Sequence, residues 1–200
     1  EHLKFDHRRL RFDEASLGLV IAPTMACNMA CKYCFGENKK GRMTPQVVAS
    51  LLSFVEKKAP HLTSVDVSWY GGEPLLALDV IEDITVALLE MGKVHNFKYT
   101  ASMISNGYLL TNDVVDRLIK LKVGSIQVTL DGPARLHNDK RPLKNGKESF
   151  DVILQNLLYA STKMGIGVRV NVDKSFQIEM VAELLDQLEE AGLRDRVGVY

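Results

Sequence analysis

Thr63-Ser64-Val65-Asp66-Val67-Ser68-Trp69-Tyr70-Gly71-Gly72-Glu73-Pro74 decides the fold, because it joins a strand pattern to a loop that a helix follows. Val65, Val67 and Trp69 alternate with polar residues at the two-residue period of a pleated strand. Gly71, Gly72 and Pro74 end the pattern, and apolar residues at helical spacing resume over 78–91. This is a strand–loop–helix unit, and the same unit recurs in both directions. Upstream, residues 17–22 form a compact apolar strand ended by Pro23-Thr24, and Thr44-Pro45 opens a helix in which Val47, Val48, Leu51, Leu52 and Val55 share a face. Downstream, strands over 99–104, 125–130, 165–172 and 197–200 alternate with helices over 111–121, 148–164 and 177–191.

About six alternations with short connections predict an α/β fold with a parallel sheet. Periodicity alone leaves an open doubly wound sheet and a closed or partial barrel both standing. The chain has 200 residues, 46% of them hydrophobic, enough for one sizeable core. With 25 acidic and 25 basic side chains it has no net field, which argues against a general nucleic-acid or membrane-surface binder. No apolar run approaches the roughly 20 residues of a membrane span, and the start lacks the apolar core of a signal peptide. A cytoplasmic protein with reduced thiols is expected. Residues 1–16, with Leu3, Phe5, Leu10 and Phe12 among charges, read as an N-terminal arm or hairpin before a domain over 17–200.

Beyond the end of the first strand lies Cys27-Asn28-Met29-Ala30-Cys31-Lys32-Tyr33-Cys34-Phe35, which holds all three cysteines of the chain. A thiolate-bound metal centre uses all three, and zinc and iron–sulfur clusters both usually take four ligands. Three thiolates on a cubane cluster leave one iron open for chemistry. A redox dithiol of Cys31 and Cys34 leaves Cys27 without a role. A zinc site completed by His2, His7, His61 or His95 finds none of them at a short ligand spacing.

At these residues, and at Gly71-Gly72-Glu73-Pro74, the sequence resembles the radical S-adenosylmethionine superfamily, with Tyr33 in the aromatic place of its C-x3-C-x-aromatic-C motif. Ser105-Asn106-Gly107 and Asp131-Gly132-Pro133, the latter followed by His137 and Arg141, look like the sulfatase-maturase and peptide-maturase branch. The resemblance implies a partial (β/α)6 barrel and a 4Fe-4S cluster on Cys27, Cys31 and Cys34. It also implies S-adenosylmethionine chelated to the open iron, its ammonium met by Gly71, Gly72 and Glu73. Tyr33, Ser105, Thr129 and Asp131 are expected to contribute to the same cofactor site, the Ser105 and Thr129 hydroxyls being suited to a ribose or carboxylate and Asp131 to a ribose hydroxyl. Arg169, Asn171 and Asp173 share one face of the fifth strand, with Val168, Val170 and Val172 on the other. Arg169 is the candidate for the ligand carboxylate, or else for an ion pair with Glu73 or Asp131.

The implied activity is reductive cleavage of S-adenosylmethionine to a 5′-deoxyadenosyl radical, with a peptide or protein substrate and a one-electron reductant such as flavodoxin or ferredoxin. No general acid or base is nominated. That branch carries a C-terminal domain for auxiliary clusters, so these residues are expected to be the catalytic barrel of a longer polypeptide. The competing class is a noncatalytic iron–sulfur or zinc protein that uses the same thiols structurally or for electron transfer.

Overall fold

The structure, a computed structural model, describes residues 14–34, 36, 40–172 and 177–200. The expected arm and Asp173 therefore lie outside the described residues, apart from the last three positions of the arm. Strand β1 is Ser16–Ile21, and helix α1, Pro45–Lys58, follows the cysteine loop. Thr44 caps that helix by accepting from the Val47 N–H at 3.3 Å, Pro45 fills its first turn, and Lys57 and Lys58 lie in its last. Strand β2 (Ser64–Trp69) leads through a short 3-10 turn to α2 (Leu78–His95), which ends on Asn96 in the left-handed conformation. The remaining order is β3 (Lys98–Ser105), α3 (Asn112–Lys120), β4 (Val123–Thr129), α4 (Ala134–Lys140), α5 (Phe150–Ala160), β5 (Gly165–Arg169), α6 (Glu179–Glu190) and β6 (Val197–Val199).

All six strands form one sheet in chain order, and every neighbouring pair is parallel. A sheet of consecutive crossover units curls toward a barrel, here open between β1 and β6. The α/β partial barrel is as expected. Register puts Val65, Val67 and Trp69 beside Tyr99, Ala101 and Met103 on the helix-facing side, all buried. They pack with Val55, Ile81, Ile84, Leu88 and, further round, Leu118, Ile153 and Leu157. The other face is polar: Ser68 lies 3.2 Å from Ser102 between hydroxyl oxygens, Thr100 donates to Asp66, and the Tyr200 hydroxyl reaches across to Gln127 at 2.7 Å.

Two departures bear on the site. Helix α4 lies in a stretch for which no helix was expected, and it buries His137 and Lys140. Strand β5 stops at Arg169, so Val172, expected within this strand on the face opposite Arg169, lies beyond it and is 70% exposed.

Candidate active site at the C-terminal ends of the strands

The loops leaving β1, β2, β3 and β4 converge, and backbone hydrogen bonds fix the cysteine loop on three sides. On one side Met25 N donates to Gly41 O and Met43 N to Pro23 O, with Thr24 Oγ1 donating to Gly41 O at 2.7 Å. On another, the chain leaving α4 runs beside the loop, so that Ala30 N meets Pro142 O at 2.8 Å, Lys32 N meets Lys140 O at 3.0 Å and Lys144 N meets Asn28 O at 3.0 Å. The third side is the Gly-Gly-Glu loop, where Gly72 N donates to Thr24 O at 3.1 Å and Glu73 N to Ala26 O at 2.8 Å. A Cβ on Gly71 would lie 2.4 Å from Thr24 O, and one on Gly72 2.3 Å from Ala26 O. Gly71 also has φ +122°. The paired glycines, expected where backbone approaches a ligand, are thus required by the backbone of the cysteine loop itself.

Glu73 is fully buried. Its carboxylate accepts from the Asn106 N–H at 2.8 Å, from Ser105 Oγ at 3.0 and 3.1 Å, and from the Leu75 N–H at 3.1 Å. Burial pushes its pKa up, while these donors and the Arg141 charge pull the other way. Glu73 and Ser105, both expected at the cofactor, therefore meet each other and tie the β2 loop to the β3 loop.

Cys27 and Cys31 are half-buried and Cys34 is exposed. The Cys27 sulfur accepts from the Met29 N–H at 3.4 Å and from Asn106 Nδ2 at 3.7 Å, and as a thiol it donates to Asn28 Oδ1 at 3.8 Å. Burial raises the pKa of Cys27 and of Cys31, opposed most at Cys27 by the Met29 N–H and at Cys31 by the Arg141 charge. Cys31 also feels Cys27 and Cys34 as like charges. Among the described residues, no three His, Cys, Asp or Glu side chains converge in a metal-holding group. Drawing three thiolates together needs a cation among them.

A second cluster centres on Asp131, whose side chain is fully buried. Its oxygens accept from Tyr33 Oη and from Asn171 N and Nδ2 at 3.2 and 3.0 Å, and Arg141 Nη1 lies 3.6 Å away. Arg141 Nη1 also donates to Tyr33 Oη at 2.5 Å. Burial pushes the Tyr33 hydroxyl up to about 12, with the Arg141 charge opposing it. The ion pair offered to Arg169 belongs instead to Arg141, because β5 leaves Arg169 exposed at the register position of Thr129, which is buried. In the sequence Arg141 stands only within a motif, and Asn28 and Asn106 carry no expected role. The available signal was their position, one residue after Cys27 and one after the end of β3.

The family model of the radical SAM superfamily matches residues 21–188, and the chain belongs to that superfamily. Among its relatives are the sporulation killing factor maturation protein SkfB of Bacillus subtilis, 27% identical over 84% of this chain and 38% of that protein, and the cysteine-type anaerobic sulfatase-maturating enzyme of Clostridium perfringens, 30% identical over 68% and 39%. Of solved structures, anSMEcpe with bound AdoMet and Cp18Cys peptide superposes with a TM-score of 0.75 at 25% identity, covering 92% of this chain and 50% of that one. Streptococcus suis SuiB bound to precursor peptide SuiA gives 0.65 at 20% identity, a likeness of fold, over 98% and 42%. The chain spans less than half the length of these curated relatives.

The superfamily's group is a 4Fe-4S cluster with S-adenosylmethionine, and the residues present fit it. The only cysteines are three thiols on one loop. Beside them two buried donors, Asn28 Nδ2 and Arg141 Nε, have no hydrogen-bond acceptor among the described residues, and a sulfide-rich, anionic group offers acceptors. No helix of the described residues is long and apolar enough to cross a membrane.

Proposed function

We propose that the protein containing this chain is a radical S-adenosylmethionine enzyme that modifies a peptide or protein side chain, working in a reducing compartment such as the cytoplasm. The observation that carries the reading is the convergence of the cysteine loop with the β2, β3 and β4 loops at one end of a parallel sheet, where α/β proteins bind ligands. In this reading Cys27, Cys31 and Cys34 hold the cluster. The chemistry such a cluster supplies when bound is one electron to the sulfonium of S-adenosylmethionine, which releases methionine and a 5′-deoxyadenosyl radical that takes a hydrogen atom from the substrate.

The chain's own part is positioning. The backbone of residues 71–73 and the neighbouring Thr129, Asp131 and Tyr33 face the cofactor from the strand ends, with Arg141 as the buried positive charge. Glu73 and Ser105 hold that rim from beneath, and Arg169 lines the polar inner face, where a substrate enters. The relatives whose names mention maturation or sulfatase maturation, and the anSMEcpe structure with its bound Cp18Cys peptide, support a peptide substrate. A one-electron reductant such as flavodoxin or ferredoxin supplies the electron.

The test is anaerobic reconstitution with iron and sulfide, reduction, addition of S-adenosylmethionine and mass-spectrometric assay of 5′-deoxyadenosine. Cleavage is expected, and it disappears in Cys27→Ala, Cys31→Ala and Cys34→Ala. A fully loaded protein that leaves S-adenosylmethionine intact, with and without peptide, returns the chain to the noncatalytic iron–sulfur class.

A further inference from the structure

Asn106 stands one residue past β3 and is 5% exposed. Its backbone N–H donates to Glu73 at 2.8 Å, and its side-chain oxygen accepts from the Tyr108 N–H at 3.0 Å. With the oxygen turned to that donor, the amide nitrogen must face the opposite way. There it finds Asn28 Oδ1 at 2.7 Å and Cys27 Sγ at 3.7 Å. The amide orientation, ordinarily open to a flip, is set by its partners. The second N–H on the same sulfur, from Met29 at 3.4 Å, belongs to the turn of the loop, whereas the Asn106 donor arrives from a different strand.

We propose that Asn106 tunes the reduction potential of the cluster through the sulfur of Cys27. The inference rests on the reading of Cys27 as a cluster ligand. A hydrogen bond to a cysteinyl sulfur withdraws charge from it and favours the more negative, reduced cluster, so the bond makes the one-electron reduction easier. Asn106 is a positioning residue that acts through Cys27. Its anchorage serves that purpose: Tyr108 and Glu73 hold it at both ends, so the donor stays aimed when the loop carries iron.

The experiment is an EPR-monitored redox titration of the reconstituted protein, with iron and sulfide content measured in parallel. Asn106→Leu removes the donor and keeps water out, and Asn106→Asp replaces the donor by an acceptor of the same shape. Both are expected to load iron and to shift to lower potential, with about a tenfold smaller reduced-to-oxidised ratio at a fixed poise, which is about 59 mV for one electron. An unchanged potential in a fully loaded variant overturns the inference. So does a shift in Asn106→Asp with none in Asn106→Leu, which reports added charge alone. Failure of both variants to load while wild type loads makes Asn106 a folding residue and equally overturns it. A wild-type protein that takes up no cluster overturns both this inference and the proposed function.

Discussion

Glu73 and His137 show how single buried groups hold the site. Glu73→Ala leaves the Ser105 hydroxyl and the N–H groups of Leu75 and Asn106 without their acceptor. At roughly 1–3 kcal/mol for each stranded buried donor, the variant is expected to lose several kcal/mol of unfolding free energy in urea. Glu73→Gln, which keeps one acceptor oxygen, should lose less, and equal stability of wild type and Glu73→Ala would sink this account. His137 accepts the Asp131 N–H on Nδ1 at 3.2 Å, so its proton sits on Nε2 and donates to Ser149 at 3.1 Å; Ser149 in turn donates to the Arg141 carbonyl at 3.0 Å. Burial, then the Arg141 charge, pushes His137 from 6.5 down to about 3. The unfolded chain takes up this proton below pH 6.5 and the folded one does not, so the contribution is complete above 6.5 and is lost as pH falls toward 3. Unfolding titrations at pH 7.5 and 5.5 should differ by about 1.4 kcal/mol from this group, and His137→Gln should remove that part of the slope.

At the level of elements, the cysteine loop takes its shape from its neighbours. Backbone bonds join it to the Gly-Gly-Glu loop and to the chain leaving α4, which is why a helix of seven residues matters here. That helix was not legible in the sequence because Asp131-Gly132-Pro133 reads as a turn and seven residues carry too little periodicity. Tertiary hydrogen bonds hold it instead: His137 meets the Asp131 N–H and Ser149, and Asn138 Oδ1 accepts from the N–H groups of Ser149 and Phe150. Gly72→Ala forces a Cβ to within 2.3 Å of Ala26 O and 2.4 Å of Met25 O, both backbone atoms. The expected result is a severalfold drop in iron bound per chain after reconstitution. Gly18→Ala in β1, where a Cβ meets nothing within 4 Å, should load as wild type does.

Across the whole molecule, six parallel strands in sequence order bury one face under helices and leave the other polar. The central strands are paired on both sides, whereas β6 has three residues and one described neighbour. Amide exchange should therefore be slowest at Val67, Ala101, Met103 and Ile126 and fastest over Val197–Val199, read residue by residue by NMR. Protection of β6 equal to that of β3 would contradict this gradient.

The order of the strands and of the longer helices was determined by the sequence itself, because the two-residue and 3.6-residue periods are local properties of the chain. The three cysteines and the Gly-Gly-Glu stretch were legible for the same reason, as residue types packed into short runs. Only the tertiary structure decided which side chains meet. Arg141 takes Asp131 where Arg169 had been a candidate, Glu73 turns inward to Ser105, and Asn106 reaches a cysteine 79 residues earlier. These contacts depend on where each strand ends against its neighbour and on how the loops beyond those ends pack, and no periodicity along the chain encodes either.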